Sequence, residues 1–353
     1  MESHIQSCQD QVPTIFKQKN KPVLDNLYLN GTKIEEVRTH CNLGLLISND
    51  LSWKGHINNL IHRANSRLNV LSKYRFILPR LALTRLYTSM VRPILEYADV
   101  IFDNMPLSLG QSIEKTQRRA ALICTGAYRH TETQILLRDL GWQPLAERRA
   151  NHKLNLFYKI TNKIYPDYLH QLIPVQQQKQ YTLRHTPRIP VFKTRLKSMA
   201  NSFFPSTVQA WNKIPQTLVE SESAKAFQNK LKPKLPTSLH YYTQCTGRHG
   251  IWLTRLRLGL SALKAHRHTY NLIGDPTCDH CGQRETTLHY MFHCQHYAYI
   301  RNTMLNKLTQ LNINITDTPQ LINKILHGTR DKTLNISILS AVFEYFKDSN
   351  RFV

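Results

Sequence analysis

Acidic residues are scarce in this chain: 23 Asp and Glu stand against 47 Lys and Arg, a formal net charge of +24 over 353 residues. An excess of one sign on that scale makes a polyanion the expected partner. Long apolar runs are missing as well. No segment approaches the ~20 apolar residues that a membrane-spanning helix needs, and the start, Met1-Glu2-Ser3-His4-Ile5-Gln6-Ser7, lacks the charged-then-apolar order of a signal peptide. No membrane is therefore expected among the partners. The seven cysteines are an odd number, four of them scattered at Cys8, Cys41, Cys124 and Cys245. That pattern argues against a disulfide framework and for thiols in a reducing, intracellular setting, nuclear or cytoplasmic. Glycine is also sparse, at 12 residues, and Leu, Ile, Arg and Lys recur at helical spacing, so a mainly α fold is expected. There is no internal repeat.

What is present concentrates in one stretch. Cys278-Asp-His-Cys281-Gly-Gln-Arg-Glu-Thr-Thr-Leu-His289-Tyr-Met-Phe-His293-Cys294 has the spacing C-x2-C-x7-H-x4-C. Three thiolates and an imidazole are the donor set of a tetrahedral Zn2+. Gly282, directly after the second cysteine, can take the positive φ that folds a backbone around an ion. The ligand set Cys278, Cys281, His289 and Cys294 is closed, which predicts a structural Zn2+ and no activated water. His280, His293 and His296 lie close enough in sequence to compete with His289. The Pro276-x-Cys278-x-x-Cys281 string echoes half of a zinc deaminase signature, but that chemistry needs an upstream H-x-E. His249, His266 and His268 have no glutamate two residues on.

Along the chain, Leu27-Tyr28-Leu29-Asn30-Gly31-Thr32-Lys33-Ile34 predicts a tight hairpin with a type I′ turn, and Cys41 to Ile47 a second extended piece. Ser52 then caps a helix with Ile57, Leu60, Ile61, Ala64, Leu68 and Leu71 on one stripe. A second helix, Arg80 to Val91, is expected to stop before Pro93. From Leu51 to Leu95 there are eight Lys and Arg and no acid. Solvated basic faces normally interleave both signs, so this stretch predicts a phosphate-facing surface carrying Lys54, Arg63, Arg67 and Lys73. Further helices are expected over 107–124, 132–140 and 145–160. Residues 174–202 read as an extended linker with a strand at Ile189 to Phe192. A compact element follows with Phe203, Phe204 and Trp211 as packing anchors, then a helix over 223–231. Between Glu222 and Asp275 nine Lys and Arg again meet no acid, and Ile251-Trp-Leu-Thr-Arg255-Leu-Arg257 predicts a basic amphipathic helix leading into the cysteine stretch. Helical pieces at 304–311, 319–325 and 334–346 complete the chain.

Several of these pieces, in this order, resemble the C-terminal part of the LINE-type (non-LTR) retrotransposon reverse transcriptases. Asn42-Leu-Gly44 through Trp53-Lys-Gly-His56-Ile57 is similar to the passage from palm to thumb. Arg92-Pro-Ile-Leu-Glu-Tyr-Ala98 and Gln117-Arg-Arg-Ala120 are similar to later thumb segments. Ser202-Phe-Phe-Pro205 with Trp211-Asn-Lys-Ile-Pro215 resembles a post-thumb element, and Thr254-Arg-Leu-Arg-Leu-Gly259 with the cysteine stretch resembles the family's CCHC zinc knuckle. Together they cover roughly residues 25–302.

The resemblance implies a palm-end remnant with a β-hairpin (1–50), a helical thumb-like domain (51–165), a linker with a Phe/Trp element (166–240), a basic helix plus knuckle (241–302) and a C-terminal helical segment (303–353). Lys54, Arg63, Arg67 and Lys73 would face a template-primer duplex, and Arg255 and Arg257 the template RNA or target DNA; no small-molecule substrate is implied. The paired aspartates that hold two metals in such polymerases have no counterpart: Tyr97-Ala98-Asp99-Val100 lacks the second aspartate and reads as a helix-packing segment. No endonuclease pattern occurs, since Pro166-Asp167 has no matching Glu-x-Lys and Glu344-Tyr-Phe-Lys347 is one residue too long. A nucleic-acid-binding, zinc-containing fragment without catalysis of its own is the expectation. Its rival is a zinc-stapled scaffold for protein partners.

Overall fold

Leu43 and Gly44 both take left-handed backbone, φ 47° and 79°, and fold residues 39–48 back on themselves. In the computed structural model the expected single extended piece is therefore a hairpin, Thr39–Asn42 (β5) paired antiparallel with Leu45–Ser48 (β6). Two consecutive positive φ values are the type I′ geometry that suits strand twist, and the Leu43-Gly44 pair was the local signal for it. Tyr97 holds the tip, its hydroxyl donating to the Leu43 carbonyl at 2.7 Å.

The described residues are 11–13, 28–30, 32–33, 35–175, 188–232, 239–244 and 247–352. Cys8, Gly31, Cys245 and residues 176–187 of the expected linker lie outside them. Helices dominate, and the short strands gather at the N-terminal end. Gln11–Pro13 (β1) pairs in parallel with Glu35–Val37 (β4). Tyr28–Leu29 (β2) pairs antiparallel with Thr32–Lys33 (β3) across Asn30, whose φ is 50°. The fold is thus mainly α with a short β-hairpin ahead of the helices.

The helix Lys54–Lys73 (α1) buries Ile57, Leu60, Ala64, Leu68 and Leu71. Ser52 does accept the Lys54 amide at 3.3 Å. The next helix departs from expectation. Arg80–Leu86 (α2) does not stop before Pro93; it widens into a π turn over Tyr87–Val91 and continues as Arg92–Glu96 (α3). Proline lacks the amide that an α ladder needs at that point, and a π turn inserted there shifts the ladder by one residue. Ala98, at φ 54°, then separates α3 from Asp99–Phe102 (α4).

The chain divides into two compact units. One comprises the described parts of 1–65, 93–116 and 144–233, the other those of 66–92, 117–143 and 234–353. The division falls inside α1 and inside Leu107–Thr125 (α5).

In the first unit, Thr133–Leu140 (α6) being in the other, the organising helix is Leu145–Thr161 (α7). One side of it carries basic side chains onto carboxylates: His152 Nδ1 lies 2.7 Å from the buried Asp99, Lys153 Nζ 2.8 Å from Asp103, and Arg148 clasps Glu96. The other buries Leu154, Phe157 and Tyr158 against Val208, Trp211 and Phe227. Tyr158 and Phe227 stack with centroids 4.6 Å apart, and Phe157 meets Trp211 edge-on at 5.2 Å. Trp211 lies on the helix Phe203–Trp211 and Phe227 on Ala224–Leu231, which Ser223 caps through the Ala226 amide. Phe203 and Phe204 pack beside this cluster. Residues 189–192 form no strand, because the backbone of Ile189 bonds both ways to the Asn212 side chain, at 3.1 and 2.8 Å.

In the second unit the core runs from Tyr241 to Phe346 and includes Cys278 and Cys294. Residues from Met304 to Phe346 share this core with the cysteine stretch. Beneath it Asp139 sits between two guanidiniums, Arg80 at 2.7 Å and Arg257 at 2.5 Å, all three side chains 5 % exposed or less. Arg257 also lies 3.6 Å over the Tyr242 ring, which offers a π face to a guanidinium whose Nε and Nη1 find no other partner. Asp139→Asn keeps the shape and removes the charge these cations share. It is expected to lower stability by about 3–5 kcal/mol, measured by urea unfolding.

Candidate metal centre and basic surface

The cysteine stretch begins with a knuckle. The Cys278 amide bonds the Gln283 carbonyl at 2.7 Å, the Gly282 amide bonds back to the Cys278 carbonyl at 2.9 Å, and Thr277 bridges Arg284. Gly282 has φ 71°, so the turn uses the one residue type without a steric penalty there. The chain returns through a π turn, His289–His293, closed by the Cys294 amide on the His289 carbonyl at 2.9 Å. That wider turn explains how an x4 gap brings His289 and Cys294 to the same point, since an α turn would place residues five apart on different azimuths.

Four donor atoms converge there. The Sγ atoms of Cys278, Cys281 and Cys294 and one ring nitrogen of His289 all lie within 4.8 Å of one another. Cys278 and Cys294 Sγ are 3.9 Å apart, and Cys281 Sγ is 3.3 Å from His289 Nε2. Four ligands at ordinary metal–sulfur and metal–nitrogen lengths of ~2.0–2.3 Å, arranged tetrahedrally, stand roughly 3.4–3.8 Å from each other. The two pairs at 3.9 and 3.3 Å come near that spacing, and the four donors together could hold one metal ion. His280, His293 and His296 are exposed and outside the group, whereas His289 is 4 % exposed. His280 and His296 stack on each other instead, centroids 3.6 Å apart.

Burial pushes the Cys294 thiol up to about 11 and the His289 imidazole down from its ordinary value. A neutral imidazole is ready to ligate, but the thiol needs a cation to become a thiolate in that place. Contacts that sequence spacing gave no means of finding secure the loop. Glu285, buried inside it, accepts from Nε and Nη2 of Arg351, each at 2.7 Å, and from the Lys264 amide at 2.7 Å. Arg301 donates to the Cys294 carbonyl at 2.8 Å, and Tyr345 to the Tyr290 carbonyl at 2.6 Å.

The expected phosphate contacts separate into two groups. Lys54, Arg63, Arg67 and Lys73 are exposed on α1, and among the described residues none of them is in an ion pair. Arg63 and Arg67, four apart, share a face; Lys54 and Lys73 mark the two ends. Arg255 and Arg257 are corrected. Arg257 has a 2 % exposed side chain and is consumed by Asp139. Arg255 donates Nε to the Gly126 carbonyl at 2.8 Å and lies 4.2 Å over the Tyr128 ring. On the helix Gly247–Arg257 (11 residues) both arginines are held by groups more than a hundred positions earlier, Arg257 by a carboxylate and Arg255 by a backbone carbonyl.

Neither a scan against models of known families nor a search of curated proteins returns a match.

Among the described residues no helix is long and apolar enough to cross a membrane. For the metal group, Cys281→Ala and Cys294→Ala should abolish binding of about one ion per chain and unfold residues 251–300, while His280→Ala, His293→Ala and His296→Ala retain the ion. Elemental analysis with far-UV circular dichroism measures both. Because ligation must displace the Cys294 proton, occupancy should fall as pH drops below neutral.

Proposed function

We propose that this chain is a nucleic-acid-binding module built around a structural Zn2+, corresponding to the thumb, linker and CCHC knuckle of a LINE-type reverse transcriptase, and that it carries no polymerase activity of its own. The observation that carries this reading is the exposed basic face of α1 in a chain whose formal net charge is +24. On α1 four exposed cations stand with no acid in the helix.

Cations so placed neutralise phosphates and position a strand; they do not read bases. The closed donor set of three thiolates and one imidazole suits Zn2+ in a structural role, since no ligand position is left for a reacting group. When bound, the ion would supply only a crosslink between the two turns of the loop. Cys278, Cys281, His289 and Cys294 would hold it, while Glu285 and Arg301 fix the loop against the helical core.

Binding to generic RNA and DNA should weaken steeply with salt, log affinity falling by roughly 0.7–0.9 per phosphate neutralised for each tenfold rise in salt. The double variant Arg63→Glu with Arg67→Glu should reduce that slope by about one to two phosphates' worth and leave the metal content unchanged. Fluorescence anisotropy over a salt series measures it; affinity that stays flat from low to physiological salt would count against the reading. Primer extension by the isolated chain with a divalent metal would overturn the non-catalytic part.

A further inference from the structure

The second unit holds a pocket of about 240 Å3 that neither the metal group nor α1 uses. Its walls come from Leu260 to Leu272 on one side and Tyr128 with His130 on the other. The floor is uncharged. The Ser261 amide donates to His266 Nδ1 at 3.2 Å, which leaves the imidazole proton on Nε2, 3.3 Å from the Thr287 hydroxyl. Both ring nitrogens are thus engaged with Ser261 and Thr287. At the mouth stand two phenol rings, Tyr270 at 47 % and Tyr128 at 37 % exposure, with Leu272 beside them. Arg267, also in the lining, is exposed.

Size and charge narrow the occupant. About 240 Å3 lies below the ~300–1,000 Å3 of pockets that enclose drug-sized ligands, so it admits one planar ring system and not an extended molecule. No acidic side chain lines it, and Leu260 to Leu272 belongs to the run between Glu222 and Asp275 that has no acid. An anionic chain that places a flat, uncharged ring into an aromatic mouth fits both properties. Stacking of successive bases on exposed aromatic side chains, with cations along the backbone, is how single strands are held without sequence preference.

We infer that the pocket bounded by Tyr128, Leu260, His266 and Tyr270 receives one unstacked nucleobase of a single strand, with Arg267 facing the adjoining phosphate. This rests on the nucleic-acid reading above and adds to it a base-binding site apart from the phosphate-facing helix. Tyr270 supplies the stacking face at the entrance. The pocket discriminates a strand with bases from a strand without them, and it tolerates any base.

The test compares binding of a single-stranded oligothymidine with that of an abasic oligomer of equal length and charge, by fluorescence anisotropy on the full zinc-loaded chain. Wild type should prefer the base-bearing strand by about tenfold, the range expected from one stacked base. Tyr270→Ala should erase the preference, and Tyr270→Trp should keep it. Tyr270 is half exposed, so its truncation leaves the core intact, and circular dichroism checks this. Equal wild-type affinity for both oligomers, with salt dependence retained, overturns the pocket and leaves the nucleic-acid reading standing. A preference that survives Tyr270→Ala overturns the pocket in the same way. No binding of either oligomer at low salt overturns the reading and the pocket together.

Discussion

Two buried guanidiniums, Arg80 and Arg257, share the single carboxylate of Asp139. With twice as many cations as acids in the chain, any cation that enters the interior must find a partner or a π face, since an isolated buried charge costs several kcal/mol. The structure meets this constraint repeatedly by placing a carboxylate where a helix needs to close on a neighbour. Asp99 meets His152, Asp103 meets Lys153, and Glu285 meets Arg351. Each acid drawn inward takes at least one basic group with it, and α1, which contains no acid at all, keeps its cations outside.

The cysteine loop depends on its surroundings in the same manner. A C-x2-C knuckle with a positive-φ glycine forms locally, but the other two ligands reach it only through a π turn whose carbonyls are held by Arg301 and Tyr345. The loop and the C-terminal helix Lys332–Ser349 therefore support one another. Tyr290 joins them further, with its hydroxyl 2.6 Å from Ser349 Oγ. A metal bound there would crosslink two turns that only folding brings together, which is the arrangement in which binding energy becomes folding energy.

Much of this was legible in the residues. Helix positions followed from apolar periodicity, the buried aromatic cluster from Phe203, Phe204 and Trp211, and the convergence of Cys278, Cys281, His289 and Cys294 from spacing. The misplaced expectations share a physical origin. Leu43-Gly44 made a hairpin because two positive φ values decide a turn that apolar character alone does not reveal. Pro93 failed to end its helix because a π turn absorbed the missing amide. Ile189 to Phe192 stayed out of a strand because the Asn212 side chain took its backbone bonds.

By itself the sequence determined the helical character, the excess of positive charge and the donor set of a metal group, since each of these depends on residue type and on neighbours within a turn or two. Tertiary structure alone decided which cations remain at the surface. Arg255 and Arg257 look as available as Arg63 and Arg67 when read along the chain, yet the Gly126 carbonyl holds the first and the Asp139 carboxylate the second, partners more than a hundred residues away. It also decided which of four nearby histidines faces the thiols, because burial of a side chain is a property of the packed core and not of its place in the chain.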